Sequence, residues 1–214
     1  MTALKKGLLI SIEGIDGSGK STLAASLVKT LSFAGLPILL TKEPGATQLG
    51  TILRAIVQKK EVPVCSKAEY LLFAADRAQH FEQVVIPSLE QGKIIISDRM
   101  ADSSLVYQGY GRGLEKEMIT AINRWTMQTV VPDLTIYVKV SAQTAFKRII
   151  QRNAEFTSFE KEQTEFIERL IIGFDEVFKA RTNTLWCDGE QGAEQISNQT
   201  TQSILSWITS QQPA

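Results

Sequence analysis

Gly14-Ile15-Asp16-Gly17-Ser18-Gly19-Lys20-Ser21 follows the apolar run Leu8 to Ile12 and opens the segment Ser21 to Phe33, where Leu23, Leu27, Val28 and Leu31 recur near helical spacing. The octet has the G-x-x-x-x-G-K-[ST] spacing in the strand-then-helix context that this spacing requires. Its glycines let the backbone curl so that N–H groups point inward as an anion nest, and the helix N-terminus adds positive partial charge. Lys20 supplies a mobile cation for terminal phosphates and Ser21 a hydroxyl for Mg²⁺. The stretch therefore predicts a cradle for the phosphates of a nucleoside triphosphate.

Outward from the cradle, Leu36 to Leu40, Ile94 to Ile96, Leu134 to Val140 and Thr184 to Cys187 are apolar runs like Leu8 to Ile12. They read as strands buried on both faces, the pattern of a parallel sheet covered by helices. Gly35 with Pro37 stops the first helix; Lys67 to Leu89 carries Tyr70, Leu71, Ala74, Ala78, Phe81, Val85 and Leu89 on one stripe, with Pro87 near its end. Ala142 to Arg152 reads as another helix. This alternation predicts an α/β fold of the P-loop NTPase type, a doubly wound parallel sheet of about five strands flanked by helices. Asn153 to Gln163 is polar and weakly periodic, which suits a mobile flap or a solvated helix. Ile196, Ile204, Leu205 and Ile208 suggest a closing helix before a frayed Gln-Gln-Pro-Ala tail. Without repeats or a low-complexity linker, residues 1–214 read as a single domain with a short flexible lid at about 148–163.

Composition narrows the setting. With 43% hydrophobic and 21% charged residues the chain has the balance of a soluble globular protein, and its formal net charge of zero gives no bulk attraction for nucleic acid or membrane. Cys65, Cys187 and the lone His80 show no metal-ligand spacing and suit a reducing compartment. The opening MTALKKGLLISIEG has lysines before a short apolar run, but the run ends at Glu13 without a small-residue cleavage site, so a buried first strand is expected in place of a signal peptide. No stretch approaches the roughly 18 apolar residues of a spanning helix. The cytoplasm is the expected location.

A metal beside the cradle calls for a second acid at the end of another buried strand. Ile94-Ile95-Ile96-Ser97-Asp98 supplies it in Asp98, although a strand-end Asp can equally cap the next helix. A switch GTPase would carry a guanine-reading Asn-Lys-x-Asp segment, which is missing, and a motor would be longer or repeated. What stands there instead is a set of arginines and an aromatic in three segments: Thr41-Lys42-Glu43-Pro44-Gly45-Ala46-Thr47, Phe73-Ala74-Ala75-Asp76-Arg77, and Ser97-Asp98-Arg99 followed by Tyr107-Gln108-Gly109-Tyr110-Gly111-Arg112-Gly113-Leu114. Together with the cradle, and in the same order from Leu8 to about Arg181, these resemble the bacterial thymidylate kinases.

The resemblance implies transfer of the γ-phosphoryl of ATP to dTMP with Mg²⁺, by a homodimer packed through helices. Gly14, Ile15, Asp16, Gly17, Ser18, Gly19, Lys20, Ser21 and Thr22 match the ATP-binding loop; Ser21, Asp98 and Glu43 match the metal centre. Arg54 and Arg99 match arginines that grip the monophosphate, where a planar fork suits phosphate oxygens. Read without the family, Arg54 is equally a helix-surface arginine and Arg99 half of an ion pair. Phe73 matches the ring that stacks on thymine, and Arg77, at i+4 on the same face, the group that reaches a base carbonyl; on the residues alone Phe73 is a core side chain. Asp16 matches the acid at the sugar 3′-hydroxyl, Glu43 and Pro44 lie on the acceptor side, and Tyr107 and Gln108 flank the deoxyribose and base. Ser103 reaches the base edge or caps a helix.

The chain also departs from the family pattern. Its cradle carries Gly17 and Ser18 without an arginine, and relatives of that kind place an arginine in the flap. Here the flap run is Thr157-Ser158-Phe159-Glu160, where Asp-Arg, a hydrophobic residue and Glu are usual. Lys42, Ala46 and Met100 stand where arginine, glycine and an aromatic are common. Of the arginines on the preceding helix, Arg148 and Arg152, the second is taken as the charge stabiliser beside Lys20, Arg99 and Asp98. Another nucleoside monophosphate kinase, a deoxynucleoside kinase, or a nucleotide-binding regulatory protein that has lost catalysis are the alternatives.

Overall fold

The computed structural model describes residues 7–59, 61–152, 155–160, 162 and 164–210. Its order is β1 (Leu8–Glu13), α1 (Lys20–Phe33), β2 (Ile38–Lys42), α2 (Gln48–Lys59), α3 (Ser66–His80), α4 (Ile86–Glu90), β3 (Ile94–Asp98), α5 (Ala101–Ser104), α6 (Lys116–Thr126), β4 (Leu134–Lys139), α7 (Ala142–Gln151), α8 (Thr164–Lys179), β5 (Thr184–Asp188) and α9 (Ala193–Ser210). The strands form one sheet in the order β2-β3-β1-β4-β5, with every pair parallel. The chain winds to β2, returns through β3, then crosses to the far side of β1 for β4 and β5. Winding thus reverses beside β1, and ligands of such sheets bind where strand carboxyl ends meet that reversal.

Alternation along the central strands explains the two covering layers. Leu8, Ile10 and Ile12 point to one side with Ile94, Ile96 and Ile136, where α1 packs through Leu23, Leu27 and Leu31 and α9 through Ile196, Ile204 and Ile208. Leu9 and Ile95 face the other side, against Phe81, Val85 and Met127. A third cluster joins Tyr137 to Phe166, Leu170, Phe174 and Phe178 of α8. Burial of strands on both faces holds for β1, β3 and β4 but not for β2 and β5: these are the edges, and Leu40 and Trp186 are 44% and 45% exposed. An edge strand has one neighbour fewer and a helix layer that ends above it.

The stripe from Lys67 to Leu89 is continuous but not uniform. Between α3 and α4 lies a π-helical turn, Phe81–Val85, immediately before Pro87 in the first turn of α4. Proline lacks the N–H that would close an ordinary turn and crowds the carbonyl four residues back, so a wider turn there keeps the rod unbroken. A second π-helical stretch, Leu105–Gly111, continues α5 and carries Tyr107 and Gln108. The expected closing helix is present as α9; its Gln-Gln-Pro-Ala tail, like Asn153, Ala154, Lys161 and Gln163 of the expected flap, lies outside the described residues. Within the flap, Thr157 to Glu160 forms no regular helix, and Phe159 and Glu160 are buried. No helix among the described residues is long and apolar enough to cross a membrane.

Candidate active site

The carboxyl ends of β1, β2 and β3 converge because the strands are parallel and in register: Ile12 and Lys42 both lie opposite Asp98. The cradle leaves β1 and turns into α1. Gly14 and Gly17 adopt φ of 145° and 80°, and a Cβ on Gly17 would stand 2.4 Å from the carbonyl oxygen of Ala145 in α7. A side chain at position 17 is thus excluded both by conformation and by the helix against it. Lys20 is buried, its Nζ donating to Ile15 O at 2.7 Å and lying 3.4 Å from Ser18 Oγ. Burial, and then the Arg99 charge, depress its pKa to about 8, against the pull of Asp16, Asp98 and Glu13. Ser21 Oγ donates to Asp98 Oδ2 at 2.5 Å, which joins the cradle hydroxyl to the acid expected beside it.

Arg99 follows β3 with a left-handed φ of 72°, and its guanidinium is the hub of the site. Nη1 donates to Gly14 O and Ser103 Oγ, both at 2.9 Å, and Nη2 to Asp16 Oδ1 at 2.5 Å and to the Tyr107 hydroxyl at 3.1 Å. The Tyr107 hydroxyl donates in turn to Asp16 Oδ2 at 3.3 Å, and the guanidinium carbon lies 5.0 Å from the Tyr107 ring centre. Burial would raise the Asp16 carboxyl; Arg99 and Lys20 outweigh it and hold Asp16 below the ordinary carboxylate range. Asp16, Arg99, Ser103 and Tyr107 thus form one hydrogen-bonded cluster at the cradle.

Behind this cluster lies a second network. Glu43, joined to Pro44 by a cis peptide bond, is buried; its Oε2 accepts from Arg77 Nε at 2.8 Å and its Oε1 pairs with His80 Nδ1 at 2.9 Å, while His80 Nε2 pairs with Thr41 Oγ1 at 2.7 Å. Burial would raise Glu43, but Arg77 and His80 hold it low. Arg77, 1% exposed, also donates to Asn123 Oδ1 at 2.7 Å and Ser104 Oγ at 3.0 Å, so three of its five N–H groups are committed within the fold. Asp76 Oδ1 accepts from Gly45 N at 3.0 Å, and Arg54 Nη1 donates to Pro44 O at 2.8 Å, so the loop after β2 is fastened from both sides. Glu43 therefore stands with both oxygens engaged, by Arg77 and His80, whereas Ser21 and Asp98 touch each other.

Phe73 is half-buried, 6.0 Å between ring centres from Phe159, which also meets Tyr107 edge-on at 5.6 Å. The flap thus docks the Phe159 ring on the two rings expected at the acceptor. Ser158 anchors it to the end of α2 by N–H donation to Gln58 O at 3.0 Å and hydroxyl donation to Val57 O at 2.9 Å. Gln108 is buried, its Nε2 donating to Glu69 Oε1 at 3.0 Å. Arg152 forms an ion pair with Glu160 at 3.0 Å. Arg148 is the α7 arginine that meets the cradle: Nη1 donates to Ser18 O at 3.3 Å and Nη2 to Gly189 O at 2.8 Å.

Residue types and spacing missed two members of this region. Glu13, buried at the end of β1, accepts from Met100 N at 2.8 Å and from Ser103 Oγ at 2.6 Å. His80 was readable as a lone histidine on a helical stripe, but its link to Glu43 spans 37 residues and leaves no local signal. For Glu13, an acid closing an otherwise apolar strand was the available sign.

Comparison with known proteins agrees with this geometry. The thymidylate kinase family profile matches residues 12–200. The chain is 38% identical over 199 residues to a thymidylate kinase of Kosmotoga olearia, covering 92% of this chain and 95% of that one. It is 35% identical over 193 residues to a thymidylate kinase of Halothermothrix orenii (89% and 93% covered), and 40% over 173 residues to one of Pelotomaculum thermopropionicum (79% of each). With a cradle, an arginine hub and a second network built from the segments that carry the likeness, the chain belongs to the thymidylate kinase family.

Proposed function

We propose that this chain transfers the γ-phosphoryl of ATP to dTMP, giving dTDP and ADP. The observation that carries the reading is the cluster of Asp16, Arg99 and Tyr107, through which a loop with triphosphate-cradle spacing is hydrogen-bonded to the acceptor side. A new bond forms from an acceptor phosphate oxygen to the γ phosphorus, and the bond from that phosphorus to the bridging oxygen breaks, its electron pair leaving on ADP. No proton has to move if the acceptor phosphate is a dianion, so positioning and charge neutralisation carry the step.

In this reading the cradle N–H groups and Lys20 hold the donor phosphates, and Arg54 and Arg99 fork the acceptor phosphate. Asp16 takes the sugar 3′-hydroxyl, and Phe73 stacks on thymine. The Tyr107 ring packs where a 2′-hydroxyl would project, while Arg77, with its uncommitted N–H groups, and Gln108 address the base; Ser103, its hydroxyl proton given to Glu13, lines the acceptor side through Arg99. Pro44 and Glu43 shape this pocket, Glu43 by fastening Arg77. Ser21 Oγ and Asp98 Oδ2 are hard oxygen donors of the type Mg²⁺ accepts and would hold it. Bound there, Mg²⁺ would supply neutralisation of charge on the transferring phosphoryl. Arg148 brings from α7 the positive charge that position 17 has no room to carry, and Arg152 holds the flap through Glu160. The flap at about 148–163 excludes water that would compete as acceptor.

We read the chain as one kinase domain acting in the cytoplasm as a homodimer. Neighbouring helices α2, α3 and α6 expose Ile52, Leu71, Met118 and Trp125, the last 78% exposed, which supports pairing through that layer. Light scattering tests it: twice the monomer mass is expected, and monomer mass across the working concentration range contradicts it. The reaction is tested by a coupled assay with ATP and Mg²⁺ against dTMP, dUMP, dGMP, AMP and thymidine. Preferred turnover of dTMP is expected; faster turnover of AMP or of thymidine would assign another kinase.

A further inference from the structure

Arg99 owes its aim to an unusual turn. A left-handed φ of 72° is rarely adopted by a side chain larger than asparagine, so something outside the residue must hold the backbone there. Three bonds do so. The Arg99 N–H donates to Ile12 O at 3.0 Å, the Ser97 hydroxyl to Arg99 O at 2.7 Å, and the Met100 N–H to Glu13 Oε1 at 2.8 Å. The other Glu13 oxygen accepts from Ser103 Oγ at 2.6 Å, and that same Oγ accepts from Arg99 Nη1. One carboxylate therefore grips both the backbone just past the turn and, through one hydroxyl, the guanidinium at the end of the side chain.

We infer that Glu13 is a positioning residue for acceptor binding, acting through Met100 N and Ser103 Oγ to fix the orientation of the Arg99 guanidinium. The inference rests on the reading of Arg99 as a ligand of the acceptor phosphate. Its placement argues against a role in stability alone. Glu13 is 0% exposed, and the nearby Asp102 carboxylate is paired at 2.6 Å with Arg181. Burial first, then Asp102, push Glu13 up to about 8, against Ser103, Arg99 and Met100 N–H. A carboxyl there weakens the fold as it ionises, and an amide of the same shape would be better tolerated. Once the carboxyl is ionised, however, glutamine cannot match the arrangement. It keeps one oxygen for Met100 N–H but presents an NH₂ to Ser103, which reverses that hydrogen bond and frees the hydroxyl from its fixed direction.

The test compares Glu13→Gln, Ser103→Ala and Arg99→Lys in the full chain by steady-state kinetics and thermal unfolding, at a pH above the value of about 8 at which Glu13 ionises. Glu13→Gln is expected to raise KM for dTMP about tenfold, the scale of one misdirected charge-assisted hydrogen bond. KM for ATP should stay within about twofold, the same bond not being made to the donor. The melting midpoint should be unchanged or higher. Ser103→Ala should shift KM for dTMP in the same direction, and it leaves the Met100 bond in place should Glu13 variants fold poorly. If Arg99→Lys raises KM for dTMP while Glu13→Gln and Ser103→Ala leave it unchanged, the inference is overturned. If the two KM values rise together with a lower melting midpoint, Glu13 is structural and the inference again fails. If Arg99→Lys itself leaves KM for dTMP unaltered, the assignment of Arg99 to the acceptor phosphate fails first.

Discussion

Arg148 Nη1 reaches the Ser18 carbonyl across 3.3 Å, while Arg152, one helical turn further on, is turned to Glu160. A cradle without an arginine is thus flanked by one from α7, the same helix whose Ala145 carbonyl blocks a side chain at Gly17. Arg148→Ala is expected to lower kcat/KM for ATP about 100-fold, in the range for losing one charge-stabilising donor. Arg152→Ala should cost about threefold, as a half-exposed arginine turned to the flap contributes little to the reacting phosphates. Steady-state kinetics on the two variants check the order; a reversed order would return the role to Arg152.

Lys20 is buried with its pKa depressed to about 8, so keeping it charged opposes folding. The sign is fixed: a lysine whose folded value lies below its unfolded value of 10.5 adds stability only as pH rises from about 8 toward that value. Lys20→Met should therefore leave the unliganded melting midpoint at pH 7 equal or higher while reducing turnover by at least about 100-fold. Differential scanning calorimetry with the coupled assay measures both. Retained turnover would mean that the cradle has been misread.

The cradle, the five strands and the closing helix were legible because each is a local pattern: a spacing, an apolar run, a periodic stripe. Which strands form the edges was not, since Leu36 to Leu40 and Leu134 to Val140 look alike as sequence and differ only in neighbours. Helix α8 left a sign in Phe166, Leu170, Phe174 and Phe178, four residues apart, which the polar segment before it obscured. At the site, residue identities carried Lys20, Ser21, Asp98 and Arg99 to one place. Partners could not be read: Arg77 to Glu43 spans 34 residues, and whether Arg148 or Arg152 faces the cradle depends on how α7 is rotated against it.

Asp76 provides a pH test of the second network. Its Oδ2 is buried without a hydrogen-bond partner among the described residues, and burial, then Glu43, raise its pKa from 3.8 to about 6. A raised carboxyl contributes stability that is fully present below 3.8 and lost as pH rises through about 6. Asp76→Asn keeps an oxygen for Gly45 N–H and removes the charge. It should be more stable than the parent at pH 7.5 by about 1–3 kcal/mol, the difference vanishing near pH 4. Denaturant unfolding at the two pH values decides; a variant less stable at pH 7.5 would contradict the account.

Phe73 separates recognition of the base from grip on the phosphate. Phe73→Ala removes the ring proposed to stack on thymine and also its contact with Phe159. KM for dTMP is expected to rise about 10- to 100-fold, the scale of one lost aromatic contact and its buried area, with KM for ATP little changed. Equal effects on both substrates would place Phe73 in the core and not in the pocket.

Direct transfer from a cradle-bound triphosphate to a thymidine monophosphate held by Arg99 and Asp16 can be followed by incubating the chain with γ-labelled ATP, Mg²⁺ and dTMP and identifying the labelled product. Label is expected in dTDP, formed one for one with ADP. Label appearing only as inorganic phosphate, or no release of ADP in the presence of dTMP, would contradict it.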